Sequence, residues 1–111
     1  MREMMSAINL GSHIPELNQP WQPIKVAQYN GNDVMVAKGS GAYAWHTHDN
    51  SDDLFLVLQG QVTLEMRDRS ILLKVGEMFV IPQGVEHRPV ASEDAYFVLI
   101  ERNNINSELS V

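Results

Sequence analysis

Turn-forming residues recur along the whole sequence and leave only short apolar segments between them. The segment Asn30–Asp33 is typical of a hairpin turn, because Asn and Gly adopt positive φ easily. The segment Pro82–Gly84 has the chemistry of a type II turn. No stretch after Ile24 shows a convincing helical pattern. Many short strands at regular spacing therefore indicate an all-β fold, either a sandwich or a barrel.

The apolar segments between the turns give the predicted strands. The glycine-rich stretch Gly39–Gly41 is interpreted as an interruption between the first two of them. The second strand is predicted to end at a pair of histidines. The predicted strands are Val34–Lys38, Ala42–His48, Leu54–Leu58, Val62–Arg67, Ile71–Val75, Met78–Ile81 and Ala95–Glu101.

The start of the chain differs from the rest. Three of the five prolines fall within residues 1–23 and break any long helix there. We expect an irregular N-terminal arm over residues 1–23, with a short helical turn near Ser6–Leu10. Residues 24–111 form the single predicted domain, because a chain of 111 residues is a natural length for one domain. The polar tail Arg102–Val111 is predicted to pack loosely.

Composition excludes several classes of function. The chain has no cysteine, which rules out disulfides, thiolate metal sites and a cysteine nucleophile. A net charge of −6 makes nucleic acid a poor partner. The first residues lack the pattern of a secretory leader, and the apolar run Leu54–Leu58 is too short to span a membrane. We therefore expect a soluble cytoplasmic protein with no nucleic-acid or membrane partner.

Two predicted strands are apolar on both faces. In the strand that follows Asp53, Phe55 and Val57 lie on one face and three leucines on the other. The strand Ala95–Glu101 has the same character. One face of a sheet in a small barrel is usually exposed to water, so a second apolar face needs cover. A second copy of the chain would supply it, and we predict a homodimer.

Three of the four histidines form a constellation suited to a metal. His46 and His48 are two residues apart, so on a strand their side chains share a face. Asp53 and His87 add a carboxylate and a third imidazole, a donor set that suits Mn, Fe, Ni, Zn or Cu. The alternative is that the three imidazoles bond one another or water. His13 has no partner at a meaningful spacing and is interpreted as a surface residue.

The spacing of these residues resembles the two sequence motifs of the cupin superfamily. The first motif joins a glycine, an HxH pair, an acidic residue and a second glycine, and the second joins a glycine, PxG, a histidine and an asparagine. Asp53 stands where glutamate is usual, and Ala91 where asparagine is usual. The surrounding sequence is similar to small single-domain cupins, some of them labelled mannose-6-phosphate isomerase-like. The matching positions are Gly39 or Gly41, His46, His48, Asp53 and Gly60, then Gly76, Pro82, Gly84 and His87.

The resemblance implies a conical β-barrel in jelly-roll order, the double-stranded β-helix, with a metal inside near one end. It also implies the metal ligands, which are His46, His48, Asp53 and His87. Asp53 is one methylene shorter than glutamate, so its carboxylate would fall roughly 1.5 Å short. It would then ligate after a small strand shift, bind through water or leave a three-histidine site. Asp52 is a weaker substitute, because on a strand it would face the other way.

Apolar residues near these positions are candidates for a pocket wall. Phe55 and Val57 share a face with Asp53, and Met66 lies on the neighbouring predicted strand, although core packing alone would also explain all three. Trp45 lies between the two ligand positions and should point away from them. A role for Trp45 in the barrel wall or a subunit interface is therefore expected.

These observations favour a small metal-binding cupin that acts on or binds a small polar metabolite, either sugar-like or an organic acid. If it is an enzyme, the metal-dependent isomerase and dioxygenase types both remain open. The alternative is a non-catalytic module that binds or senses a small ligand, with a degenerate metal site. A purely structural dimeric barrel is a third possibility.

Overall fold

A computed structural model describes residues 5–103 and Val111 of this chain, and the description below refers to these residues. They form a 3₁₀ helix at Leu10–Glu16 followed by antiparallel strands. None of their helices is long and apolar enough to cross a membrane. The strands are β1 (Ile24–Tyr29), β2 (Asn32–Ala42), β3 (Asp53–Gln59), β4 (Val62–Met66), β5 (Ser70–Leu73), β6 (Met78–Ile81) and β7 (His87–Arg102).

The long strand β7 connects the two parts of the β-structure. Five strands follow one another in the order β1-β2-β7-β3-β6. The first residues of β7 pair with β4, which also pairs with β5, whereas the later residues of β7 pair with β3. Strand β2 pairs along nearly the whole of β7. The chain therefore folds as the all-β barrel that the sequence predicts.

The core lies between the inward faces of these strands. Cross-strand register places Met35, Leu99 and Phe55 in one row across β2, β7 and β3. All three side chains are fully buried. The next row contains Phe97, whose ring lies 5.7 Å from that of Phe55. Aromatic pairs at this separation add to the stabilisation that apolar burial provides.

The opposite face of the same sheet is also apolar. One row joins Val36, Val98, Leu56 and Met78 across β2, β7, β3 and β6. Leu10 and Leu17, at the 3₁₀ helix, pack in the cluster that contains Val36 and Val98. The N-terminal arm therefore covers the β2 side of this face.

The β6 side of this face is more open. Met78 is 51% exposed, and Val80, which pairs with Leu54, is 38% exposed. We call the residues Leu54, Leu56, Met78 and Val80 the outer apolar face.

The predicted strand Ala42–His48 is wrong. Strand β2 continues through Gly39–Gly41 because it stays paired with β7, and it ends at Ala42. The register of this pairing shifts between Gly39 and Gly41, at a β-bulge. Gly41 has a φ of 77°, which a glycine adopts without strain. The two histidines therefore lie in the irregular segment 43–52. Strand β7 begins at His87, well before the predicted start, because its first residues pair with β4.

The predictions for the two ends of the chain also need correction. The helical turn lies at Leu10–Glu16 rather than Ser6–Leu10, because the side chain of Asn9 accepts a hydrogen bond from the N–H of Ser12 and starts the helix there. Residues 104–110 of the predicted loose tail lie outside the described residues. Val111, however, is fully buried in the core cluster.

Candidate metal centre

A backbone bridge joins the two stretches of sequence that carry the histidines. The N–H of His46 donates to the carbonyl of His87, and the N–H of His87 donates to the carbonyl of His46, each at 3.0 Å. His87 also pairs with Met66 of β4. The bridge therefore fixes the irregular segment against the point where β7 meets the second part of the barrel.

The loop that follows His48 is tied to the turn that precedes β7. The N–H of Gly84 donates to the carbonyl of His48 at 2.9 Å. The N–H of Gln83 donates to the carboxylate of Asp52 at 2.8 Å, and its side-chain amide donates to the carbonyl of Asp49 at 2.6 Å. Asp52, considered from the sequence as a substitute ligand, instead anchors the loop.

The structure brings the four predicted ligands together. One donor atom from each lies within 4.8 Å of the others, and the four residues are His46, His48, Asp53 and His87. The Nε2 atoms of His48 and His87 lie 2.9 and 3.4 Å from Oδ2 of Asp53. The shorter side chain of Asp53 thus reaches both imidazoles.

These close contacts are not aligned as hydrogen bonds. Both carboxylate oxygens of Asp53 and Nε2 of His87 are buried without a hydrogen-bond partner. A buried polar atom without a partner carries a desolvation cost of about 1–3 kcal/mol, and more when it is charged. Several such atoms that converge on one point are the arrangement that a bound cation satisfies.

The outer nitrogens of the three rings all face oxygen acceptors. Nδ1 of His46 lies 2.8 Å from the carbonyl of Ala44, and Nδ1 of His87 lies 2.9 Å from the carbonyl of Val85. A carbonyl oxygen only accepts, so in the neutral ring of His87 Nδ1 carries the proton and Nε2 keeps its lone pair, and the same tautomer of His46 would satisfy Ala44. Nδ1 of His48 faces a carboxylate oxygen of Glu101 at 3.6 Å. This orientation of a histidine is the usual one in metal sites.

The backbone oxygen of Val111 lies on the inner side of two rings. It is 2.8 Å from Nε2 of His46 and 3.3 Å from Nε2 of His48. Burial lowers the pKa of His46, although hydrogen bonds to the two carbonyls oppose the shift. A neutral His46 can donate from only one ring nitrogen, so only one of its two oxygen contacts is a hydrogen bond, and a cation bound at Nε2 would leave the proton on Nδ1 for the carbonyl of Ala44.

Protons and charges at the site are strongly coupled. Contact with Asp53 raises the pKa of His48 to about 9, although burial opposes the shift. Burial alone would raise the pKa of Asp53, but contacts with His48 and His87 outweigh it and hold that pKa at about 2. Burial and the neighbouring carboxylate of Asp53 raise the pKa of Glu101 to about 8. His48 and Asp53 therefore form an ion pair near neutral pH.

The donor set fits a divalent transition metal. Two ligands of one ion, each at about 2.1 Å, lie roughly 3–4 Å apart. The distances between these donors fall in or slightly above that range, so small side-chain adjustments would close them on one ion. Three imidazoles and one carboxylate suit Mn, Fe, Ni, Zn and Cu, and the set does not distinguish among them.

Apolar and aromatic residues surround the imidazoles. The ring of Phe55 meets that of His87 edge-on at 6.2 Å, and Tyr43 meets His46 edge-on at 5.2 Å. Among the predicted wall residues, Phe55 and Val57 are buried in the core cluster, and Met66 packs against it. All three thus contribute to the core, and Phe55 also borders the site.

Trp45 lies away from the donors, on the outer side of the segment. The guanidinium of Arg67 lies over its ring at 3.8 Å, and that of Arg88 at 5.1 Å. Arg67 is itself held by Glu86 at 2.8 Å. These cation–π contacts hold Trp45, the residue between the two histidines, and its role in the barrel wall or a subunit interface stays a prediction.

Sequence reasoning missed Glu101 and Val111. Glu101 follows Phe97 and Leu99 at two-residue spacing, and both of those side chains are buried in the core. Strand alternation therefore places Glu101 on the inward face, and this signal could have found it. Nothing in the polar tail indicates the burial of Val111.

A groove elsewhere on the molecule is a weaker candidate for a functional site. A groove of about 650 Å³ lies between the N-terminal arm and β1 and is lined by Ser6, Ile8 and residues 25–28. Its charged residue, Lys25, already pairs with Asp33 at 3.1 Å. Among the residues that the structure describes, those lining the groove include no member of the donor cluster and bring together no set of metal-binding or catalytic groups.

The comparison with known families agrees with this geometry. Residues 32–101 match the family model of the cupin domain, so the chain belongs to the cupin family. A cupin-2 domain containing protein from Shewanella frigidimarina has a similar crystal structure, with a TM-score of 0.85 and 36% identity over 93% of this chain and 99% of that one.

Two curated relatives extend the comparison. The protein YdbB of Bacillus subtilis is 29% identical over 79% of this chain and 76% of its own length. A 3-hydroxyanthranilate 3,4-dioxygenase of Xanthomonas euvesicatoria is 30% identical over 95% of this chain, which spans 64% of that enzyme. The chain is thus similar to a dioxygenase while covering less than two thirds of its length.

The raised pKa of His48 predicts a pH-dependent stability. Between pH 6.5 and about 9 the folded protein holds a proton that the unfolded chain has lost. The stabilisation from this group is therefore complete below pH 6.5 and is lost as the pH rises through 9. Urea denaturation of protein stripped of metal by a chelator should show a falling free energy of unfolding over this range.

The variant His48→Gln provides the control for this measurement. Glu101 titrates in the same direction at lower pH, and it remains in the variant. The fall between pH 7 and 9 should therefore be steeper in the wild type than in His48→Gln. Equal slopes would show that His48 is not charged in the folded protein.

Proposed function

We propose that this cupin is a metal-dependent enzyme of the dioxygenase type that acts on a small polar organic acid. The observation that carries the proposal is the convergence of three imidazoles and a carboxylate, in which both oxygens of Asp53 and Nε2 of His87 are buried without a hydrogen-bond partner. The similarity to a 3-hydroxyanthranilate 3,4-dioxygenase favours oxygen-dependent chemistry over isomerisation. The similarity extends to only part of that enzyme, so 3-hydroxyanthranilate is the first substrate to test rather than an assignment.

In such a site some residues of the chain would bind the ion and others would orient the imidazole rings. His46, His48, Asp53 and His87 would hold the ion, and a redox-active ion bound there supplies the Lewis acidity and electron transfer that oxygen chemistry needs. The carbonyls of Ala44 and Val85 keep two of the rings in the tautomer that binds.

Other residues shape the surroundings of the reacting atoms. Phe55 and Tyr43, packed edge-on against two of the imidazoles, limit the access of water. The inner side of His46 and His48 already accommodates an oxygen atom, that of Val111. A carboxylate or hydroxyl oxygen of a substrate that displaced Val111 would occupy the same position.

Metal analysis tests the ligand set. Protein produced without a histidine tag should carry about one transition-metal ion per chain. The variants His46→Ala and His87→Ala should lose it, because each removes a ligand from a four-donor set. His13→Ala is the matched control, since that histidine pairs with Glu16 at 2.9 Å and lies outside the cluster. Metal retained equally in all three variants would contradict the proposed site.

Oxygen uptake tests the reaction type. Protein loaded with Fe(II) should consume oxygen when 3-hydroxyanthranilate or a related hydroxy acid is added, and His87→Ala should reduce the rate by at least a hundredfold. Isomerisation of a sugar phosphate without oxygen uptake would support the isomerase type instead. Ligand-induced stabilisation with no turnover would support the binding and sensing module.

We also propose that the outer apolar face packs against a second copy of the chain. Leu54 and Leu56 align with Val80 and Met78 across β3 and β6, so the face is continuous up to the sheet edge. The neighbouring rows on β2 and β7 are covered by the N-terminal arm, whereas Met78 and Val80 at this end remain exposed among the described residues. Identical apolar faces can bury one another about a twofold axis.

Light scattering tests the dimer. The wild type should show twice the mass of the chain, and a variant with both Met78→Glu and Val80→Glu should be a monomer, because two carboxylates cannot be buried without partners. Val75→Glu is the control, since Val75 is 62% exposed and lies outside the outer apolar face. A wild-type protein that is monomeric at micromolar concentration would refute the proposal.

A further inference from the structure

Glu101 is a buried carboxylate that is not one of the four candidate metal ligands. It lies near the end of β7, opposite Asp33 of β2, and only 12% of its side chain is exposed. Its Oε2 atom has no hydrogen-bond partner and lies 3.6 Å from Nδ1 of His48. A buried carboxylate oxygen without a partner is costly, so this placement calls for an explanation.

A comparison of the oxygen atoms that face Nδ1 in the three imidazole rings explains the placement of Glu101. Nδ1 of His46 and Nδ1 of His87 each lie within hydrogen-bond distance of the carbonyl of the residue two positions earlier, Ala44 and Val85. Nδ1 of His48 makes no such hydrogen bond, and the acceptor that faces it is Glu101. Glu101 therefore takes the place that a backbone carbonyl takes for the other two rings.

We propose that Glu101 is a positioning residue for His48, and the inference rests on the metal site proposed above. Its carboxylate accepts the Nδ1 proton and holds the ring with Nε2 directed at the ion. In the structure Nε2 of His48 is close to Asp53, and the Nδ1 contact is longer than a hydrogen bond. Once an ion takes the Nε2 lone pair, the only ring proton is on Nδ1 and Glu101 is its nearest acceptor.

Charge supports the same role. Three neutral imidazoles and one carboxylate leave a bound divalent ion with a residual positive charge in a buried site. The charge of a bound ion would favour the ionised form of Glu101, and this carboxylate on the far side of His48 would then offset that charge through the ring, as carboxylates commonly do behind metal-binding histidines. The carbonyls that hold His46 and His87 carry no net charge and cannot do so.

Two variants separate the parts of this role. Glu101→Gln keeps an oxygen that accepts from Nδ1 but removes the charge, whereas Glu101→Leu removes both. Loss of such a partner typically lowers metal affinity 10- to 100-fold. We expect Zn²⁺ affinity, measured by competition with a chromophoric chelator, to fall by that factor in Glu101→Leu and by about tenfold or less in Glu101→Gln. Glu65→Gln, which removes the partner of Arg88 outside the site, is the control.

A second readout detects the proton itself. In the Zn²⁺-loaded wild type, ¹⁵N NMR should show His48 protonated at Nδ1, with that proton protected from exchange with water. The protection should be lost in Glu101→Leu and partly kept in Glu101→Gln, while the signals of His46 and His87 stay unchanged. A purely structural role for Glu101 would not change one ring selectively.

The outcomes distinguish this inference from the proposed function. A wild type that does not bind Zn²⁺ would overturn the metal site and the role of Glu101 with it. Folded Glu101→Leu with affinity within twofold of the wild type would overturn the role of Glu101 alone. If Glu101→Leu does not fold, the Glu101→Gln affinity and the exchange of the His48 Nδ1 proton in the wild type decide the question, and rapid exchange of that proton would overturn the role.

Discussion

The reciprocal hydrogen bonds between His46 and His87 hold the proposed site together. They connect an irregular segment, which has no ladder of its own, to the start of a strand that pairs with three others. Asp53 joins the site from the start of β3, which pairs with the later part of β7. Each donor therefore lies on β7, on a strand that pairs with β7, or in the segment that the bridge connects to β7. The precision of the site depends on the packed barrel and not on the conformation of one loop.

The sequence allowed the fold class and the identity of the converging residues to be predicted, but not the backbone that carries them. Strand alternation suggested that His46 and His48 share a face, yet the segment is not a strand. Their rings lie 5.0 Å apart because the bridge to His87 and the bond from Gly84 hold the backbone on either side. Those partners lie far away along the chain, and local patterns contain no information about them.

Some features were only partly predictable because they depend on contacts between segments that are distant in the sequence. Strand alternation places Glu101 on the inward face, but the register with Asp33 and the position of His48 are needed to show that it faces the site. The exposure of the outer apolar face was likewise only half predictable. The apolar rows are visible in the sequence, but the arm that covers one end of them was expected to be irregular, and its packing through Leu10 and Leu17 depends on tertiary contacts.

Protons and a metal ion compete for the same position in this site. The charged ring of His48, with a proton on Nε2, and the carboxylate of Asp53 neutralise each other as an ion pair, and this pairing accounts for the raised pKa of His48 and the lowered pKa of Asp53. A divalent ion must displace that proton to reach the lone pair, so metal binding releases it. The ion brings more charge than the proton it replaces, and Glu101 is the buried carboxylate available to offset the excess. Because a proton and a metal ion compete for the Nε2 lone pair of His48, this atom links the folding stability, the metal affinity and the charge of Glu101.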